Sequence, residues 1–300
     1  MIKNNTIYLL VIIATLFWGA NFALAGPILQ EMSPLWLAAS RFGLSAMLMM
    51  VFASWRREPL LAPAMQHIKA YLIIAAVGIG GFNLLFFYAL QTTSAGNASL
   101  IMATNPLVTI VLAALVLGER PSKRLLLSLP LALVGVLVVI SSGDMSKLTH
   151  LQNIQGDVLM LGGNLAWAGY NVLSRKLMPK QSALTNTTLV MSAGALILLA
   201  AAALSGDHLT TLGFYPSVDL AIMVVGGTVL AYLFWNTGIA RFGAGRTALF
   251  MNLIPVFAML TAAVMGQLPN LAQIMGGGLV ISGVALAMMP LRRRPEVDEG

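Results

Sequence analysis

Cysteine is absent from all 300 residues, which excludes disulfide staples and thiolate metal sites. Charge is scarce: 9% of residues are Asp, Glu, Lys or Arg, and none lies between Tyr71 and Gly118. A chain that is 58% hydrophobic, with a mean hydropathy of +0.86, has too little polar surface to fold away from water as a soluble domain. The fold class it implies is an all-α polytopic membrane protein. His67, His150 and His208 are scattered over separate loops and cannot form one metal site. HExxH, GxSxG and phosphate-cradling glycine loops are missing as well. The chain is therefore not read as an enzyme, and no catalytic residue, metal or cofactor is expected.

A spanning helix needs roughly 20 largely apolar residues. Ten such segments are expected, at Tyr8–Gly26, Leu35–Ser54, Tyr71–Gln91, Asn97–Leu117, Leu125–Ser141, Val158–Ser174, Leu184–Ser205, Leu220–Ala240, Thr247–Gln267 and Leu271–Met289. The uncharged run after Tyr71 is too long for one crossing, so residues 91–97, polar and glycine-containing, must hold a turn. The first segment also admits a signal-peptide reading through Lys3 and Ala23-Leu24-Ala25, but its pattern returns later in the chain, where no signal peptide can be. No Asp or Glu lies inside any expected span. With the N-terminus in the cytoplasm, fifteen Lys and Arg residues fall on the inner side and only Lys147 on the outer. That bias predicts cytoplasmic termini; attraction to anionic lipid also accounts for it.

Landmarks repeat at a constant offset. Trp18 and Trp167 are 149 residues apart, as are Pro106 and Pro255; Gly118 and Gly266, Pro121 and Pro269, and Gly135 and Gly283 are 148 apart. Two copies of one five-helix unit follow, and because five is odd the second must enter the membrane from the opposite side. The expected organisation is a first repeat over residues 1–145, a second over 152–290 and a short polar tail over 291–300. Pro106 and Pro255, each breaking a helix hydrogen bond, are the expected hinges.

Polar residues in the spans form stripes at helical spacing: Asn164, Trp167 and Asn171; Thr228, Tyr232, Trp235 and Asn236; Asn83, Phe87 and Gln91; Asn105 and Thr109. Each set shares one face, and such faces turn inward because lipid offers no hydrogen bonds. Packing between helices explains any single member; the recurring pairing of amides with aromatics resembles a substrate lining. Arg41, the one clear charge inside a span, fits either a bidentate carboxylate contact or a side chain snorkelling to the interface. Glu119, beside Arg120, Lys123 and Arg124, reads as an end-of-helix ion pair. Glycines at 78, 80 and 81, 162 and 163, 226 and 227, and 276 to 278 read as close helix contacts.

Taken together, Phe17-Trp18-Gly19-Ala20-Asn21-Phe22, Arg41-Phe42, Asn105-Pro106, Leu117-Gly118-Glu119 and Gly135-Val136, with Trp167, Pro255, Gly266 and Gly283-Val284 in the second copy, resemble the EamA family of the drug/metabolite transporter superfamily. The resemblance covers nearly the whole chain before Pro290. It implies a ten-helix bacterial inner-membrane exporter of amino acids or related metabolites, with a cavity built from the third, fourth, eighth and ninth helices and the fifth and tenth as scaffold. The second copy has Gln267 where the first has Glu119. The membrane-embedded glutamate of the small four-helix multidrug relatives is missing, so their proton antiport is not expected. On this reading Asn21, Asn83, Tyr88, Asn105, Asn171, Tyr232, Trp235, Asn236 and Asn252 line the site, Trp18 and Trp167 line or gate it, and Arg41 contacts a carboxylate. The expected partners are a small-molecule substrate and membrane lipid, with no nucleic acid and no obligate protein partner.

Overall fold

Serine and asparagine side chains start several of the helices. Ser33, Ser122 and Ser182 each accept a hydrogen bond from the backbone N–H three residues on, and Asn270 and Gln273 bond reciprocally at 2.8 and 3.0 Å in a capping box. The computed structural model describes residues 4–92, 98, 101–144, 146 and 154–288. Its helices are α1 (Asn4–Leu29), α2 (Pro34–Trp55), a short α3 (Leu61–Gln66), α4 (Ile68–Leu90), α5 (Asn105–Leu117), α6 (Lys123–Ser141), α7 (Ile154–Leu177), α8 (Ala183–Leu204), α9 (Phe214–Phe242), α10 (Ala244–Val264) and α11 (Leu271–Met288). No strand occurs among the described residues.

Eight of these helices are long and apolar enough to cross a membrane; α5 is apolar but short, and the more polar α7 carries Asp157, Asn164, Asn171, Arg175 and Lys176. Two acids fall inside helices that start earlier than expected, Asp157 in the first turn of α7 and Asp219 in the second turn of α9, which corrects the expectation of acid-free spans. Most of the expected 91–97 turn, the 291–300 tail, Lys3, Lys147 and His150 lie outside the described residues.

The sequence offset reappears in local geometry. α4 and α9 each widen into one turn of π-helix, at Ala76–Gly81 and Val225–Leu230, 149 residues apart. Glycines at these wide turns admit a side chain of the facing helix. A Cβ on Gly78 would meet the Tyr170 ring at 2.5 Å, and one on Gly226 the Phe17 ring at 2.5 Å, while Asn21 lies against Gly227. So α1 of the first half seats on α9, and α7 of the second half seats on α4. The two seated helices run in opposite directions. α1 ends where the Glu31 carboxylate accepts from Gly213 N–H at the start of α9, whereas α7 ends where Arg175 donates to the Ala240 carbonyl at the end of α9. Gly118 and Gly266, 148 apart, both terminate helices in the left-handed region, at φ +66° and +92°, where glycine carries no Cβ penalty.

α6 and α11 pack backbone to backbone through small residues. A Cβ at Gly135 would sit 2.7 Å from the Gly276 carbonyl oxygen, and one at Gly283 would sit 2.9 Å from Ala132 N; small residues at such crossings let helices approach in a membrane.

Pro106 and Pro255 sit at helix breaks and not within bent rods. Residues 101–103 are helical, Thr104 interrupts them, and Pro106 falls in the first turn of α5, where a missing N–H costs nothing. In α10, Pro255 follows a 3₁₀ turn over Leu249–Asn252. Asn164 of α7 clamps the first break: its Nδ2 donates to the Ile101 carbonyl at 2.7 Å and to Thr104 Oγ1 at 2.8 Å. Asn105 Nδ2 returns the contact, donating to Asn164 Oδ1 at 2.6 Å and its carbonyl at 2.9 Å, and Thr109 Oγ1 donates to Asn105 Oδ1 at 3.1 Å.

Two stability outcomes follow. Gly135→Ala forces backbone apart and should cost about 1–3 kcal/mol, lowering the unfolding temperature in detergent, while Gly278→Ala, whose Cβ meets nothing within 4 Å, should leave it unchanged. Asn164→Ala removes three hydrogen bonds across the break, to Ile101, Thr104 and Asn105, and should cost about 1–3 kcal/mol by the same measurement.

Candidate functional site

The polar stripes converge on one cluster of rings. Trp167, 4% exposed, is its centre. It stacks on Tyr170 at 5.1 Å, stands edge-on to Trp18 at 5.4 Å and to Tyr232 at 5.9 Å, and tilts against Phe82 at 5.2 Å. Trp235 lies 4.9 Å from Trp18, and Phe42 is edge-on to Tyr232 at 5.8 Å. These rings come from α1, α2, α4, α7 and α9; the three- and four-residue spacings on α7 and α9 present Trp167, Tyr170 and Asn171 to Tyr232, Trp235 and Asn236. Edge-on and offset contacts of this kind add to plain burial because ring edges carry the opposite partial charge to ring faces.

Several polar handles in the cluster are tied across helices. Trp18 Nε1 donates to the Gly227 carbonyl at 3.0 Å, Trp235 Nε1 to Asn171 Oδ1 at 2.8 Å and Trp167 Nε1 to Met251 Sδ at 2.9 Å. The Tyr170 hydroxyl donates to Asn236 Oδ1 at 2.9 Å, and Asn236 Nδ2 donates to Thr187 Oγ1 at 3.1 Å. Buried polar atoms without a hydrogen-bond partner among the described residues include these four: Arg41 Nε, Asn171 Nδ2, Thr188 Oγ1 and Asn252 Nδ2. Buried donors are rarely left so in native proteins. Three of these four lie on residues expected to bind substrate.

Arg41 turns inward. Its guanidinium carbon stands 4.7 Å over the Phe42 ring, which touches Tyr232 in turn, and the Tyr232 hydroxyl is within electrostatic reach. The buried Nε and this contact favour the inward reading over snorkelling.

Not every expected lining residue joins the cluster. Tyr88 is 44% exposed and makes no ring contact among the described residues, lying on the opposite side of α4 from the buried Asn83. Asn83, buried, folds its Nδ2 onto the Ile79 carbonyl at 2.8 Å, four residues back in the π turn. Asn105, fully buried, is committed to the clamp on Asn164, so its amide serves the helix break and not a lining. Asn21 packs on Gly227 one turn beyond Trp18. Asn252, 2% exposed, ends the 3₁₀ turn of α10.

Sequence reasoning passed over Tyr170, Phe42, Phe82, Met251 and Thr187. Tyr170 carried a signal, since it follows Trp167 by three residues and stands 149 after Asn21. Phe42, Phe82 and Met251 carried none, because apolar residues in an apolar span do not declare their face. Among the described residues, no group of three His, Cys, Asp or Glu side chains converges as a metal site would need.

Comparison with known proteins agrees with this architecture. The model of the EamA-like transporter family matches residues 5–141 and again 154–289. "Uncharacterized transporter YyaM" of Bacillus subtilis (strain 168) is 34% identical, with 97% of this chain and 96% of that protein aligned. The "Probable amino-acid metabolite efflux pump" of Escherichia coli (strain K12) is 28% identical over 99% of each chain. A solved crystal structure superposes with a TM-score of 0.77 at 19% identity, covering 95% of this chain and 98% of that one, which shows a shared fold. The apolar helices, the seated rings and these matches lead to one conclusion: this chain is a multi-pass membrane protein that belongs to the EamA-like transporter family.

Proposed function

We propose that this transporter exports a small neutral or zwitterionic metabolite, of the amino-acid class, across the bacterial inner membrane by alternating access between two inverted five-helix halves. The observation that carries the reading is Arg41 turned inward at the edge of the ring cluster, with its Nε buried and unpartnered. A substrate carboxylate meets Arg41 there, the faces of Trp18, Tyr232 and Trp235 offer flat apolar area to its side chain, and the free Asn171 and Asn252 amide donors orient it. Ring faces also accept an ammonium group. Relatives named as probable amino-acid metabolite efflux pumps in Escherichia coli and Salmonella typhimurium, and one named as a probable terminal-alkyne amino-acid exporter in Streptantibioticus cattleyicolor, support this class. Alternating access draws support from the opposed directions of α1 and α7 and from the helix breaks at Pro106 and Pro255, which let each half flex at the same depth. Cytoplasmic termini follow from the distribution of Lys and Arg.

Counterflow in proteoliposomes preloaded with a metabolite mixture, read by mass spectrometry against protein-free vesicles, tests the class. Saturable exchange of amino acids is the expected result; an unsaturable leak, or exchange confined to compounds lacking a carboxylate, contradicts it. Arg41→Gln should lower amino-acid exchange by about tenfold or more, equivalent to at least about 1.4 kcal/mol, with an unchanged unfolding temperature; wild-type exchange in that variant removes Arg41 from the site.

A further inference from the structure

At the end of the bundle where α5 leaves and α10 begins, a cavity of about 410 Å³ opens between the two halves of the chain. Among the described residues five arginines line it, Arg120, Arg124, Arg175, Arg241 and Arg246, with one acid, Glu119. Its walls come from the α5–α6 connection and from the ends of α7, α9 and α11, and the space is of the size small-ligand sites take. We propose that this cavity is a binding site for a phosphate-bearing anion, separate from the ring cluster and independent of the export reading.

The argument rests on how the charges are held. Arg175 donates to the Ala240 carbonyl, Arg241 Nε to Asn4 Oδ1 at 3.1 Å, and Arg246 to the Ala287 carbonyl at 3.0 Å. Arg246 also lies 5.5 Å over the Tyr8 ring and 5.6 Å over Phe242. These partners are neutral. They fix each guanidinium in place yet cancel none of its charge, and among the described residues each leaves several of the five N–H donors unused. Glu119 is already engaged: its carboxylate accepts the N–H groups of Ala244 at 3.2 Å and Gly245 at 3.4 Å. Among the described residues, Arg120, Arg175, Arg241 and Arg246 face one lining carboxylate, which leaves a positive excess in a concave space, where field lines concentrate. Guanidinium forks match phosphate oxygens two at a time, which a halide cannot reproduce. Because the lining residues come from both halves, a bound phosphate bridges them and stabilises this arrangement of the bundle.

The anion can be a lipid headgroup or a free phosphate, and the measurement separates them. The full chain, purified in an uncharged detergent, is melted with inorganic phosphate against chloride at equal ionic strength, and separately with phosphatidylglycerol against phosphatidylcholine in mixed micelles. A rise of the unfolding temperature by several degrees with both probes assigns the site to phosphate in general; a rise with phosphatidylglycerol alone assigns it to lipid. In Arg120→Gln/Arg241→Gln the half-saturating concentration of the effective probe should rise by about tenfold or more, whereas Lys123→Gln, just outside the lining, should leave it unchanged. Should the double variant not fold, Arg120→Gln alone decides, since Arg120 is exposed and removes no helix contact. No shift with either probe, or shifts identical in wild type and the arginine variants, overturns the proposal.

Discussion

In hydrocarbon an amide, hydroxyl or guanidinium has no water to bond, so each polar group at membrane depth needs a partner inside the protein. Much of this structure follows from that constraint. Where the helix before α5 breaks, Asn164 reaches across to the Ile101 carbonyl; where α9 widens into a π turn, Trp18 takes the Gly227 carbonyl; where α4 does the same, Asn83 folds back onto Ile79. The irregular backbone that gives a transporter its flexible points is thus satisfied by side chains from the core.

The same constraint exposes what is set apart for a ligand. Most polar atoms of the ring cluster are paired across helices, but Arg41 Nε, Asn171 Nδ2 and Asn252 Nδ2 are not. They lie on the first and second halves alike. Membership in the EamA-like transporter family gives this arrangement its role, and the glycines at the π turns give it room. Gly78 and Gly227 admit Tyr170 and Asn21 at equivalent places, so each half carries a socket for the leading helix of the other.

Much of this was legible beforehand. Composition was enough for the class, and the 148–149 offset placed landmarks that recur as paired left-handed glycines, paired π turns and the serine caps at Ser33 and Ser182. Stripes at helical spacing picked out Trp167, Asn171, Tyr232, Trp235 and Asn236, because inward polar faces are forced in lipid. The stripes failed where an amide has two uses. Asn105 sits in a stripe yet serves the helix break, and spacing alone does not separate a lining amide from a clamping one. Tyr88 stands apart from the ring cluster: a tyrosine near a helix end tolerates exposure, its ring and hydroxyl suiting an interface. The arginine cavity was invisible as a site, since its five arginines come from separate segments and the overall positive bias already accounted for each of them.

The central claim, that the two halves move against each other around the ring cluster, is tested most directly by distances at the two ends of the bundle. The chain has no cysteine of its own, so spin-label pairs can be introduced without background at Lys123 and Lys176, near the arginine cavity, and at Gln91 and Met265, at the opposite ends of α4 and α10. Pulsed electron spin resonance in nanodiscs, with and without a substrate identified by counterflow, should show substrate shifting the two distance distributions in opposite senses, one end opening as the other closes. Distributions that stay fixed at both ends while saturable transport proceeds would contradict alternating access about this cluster.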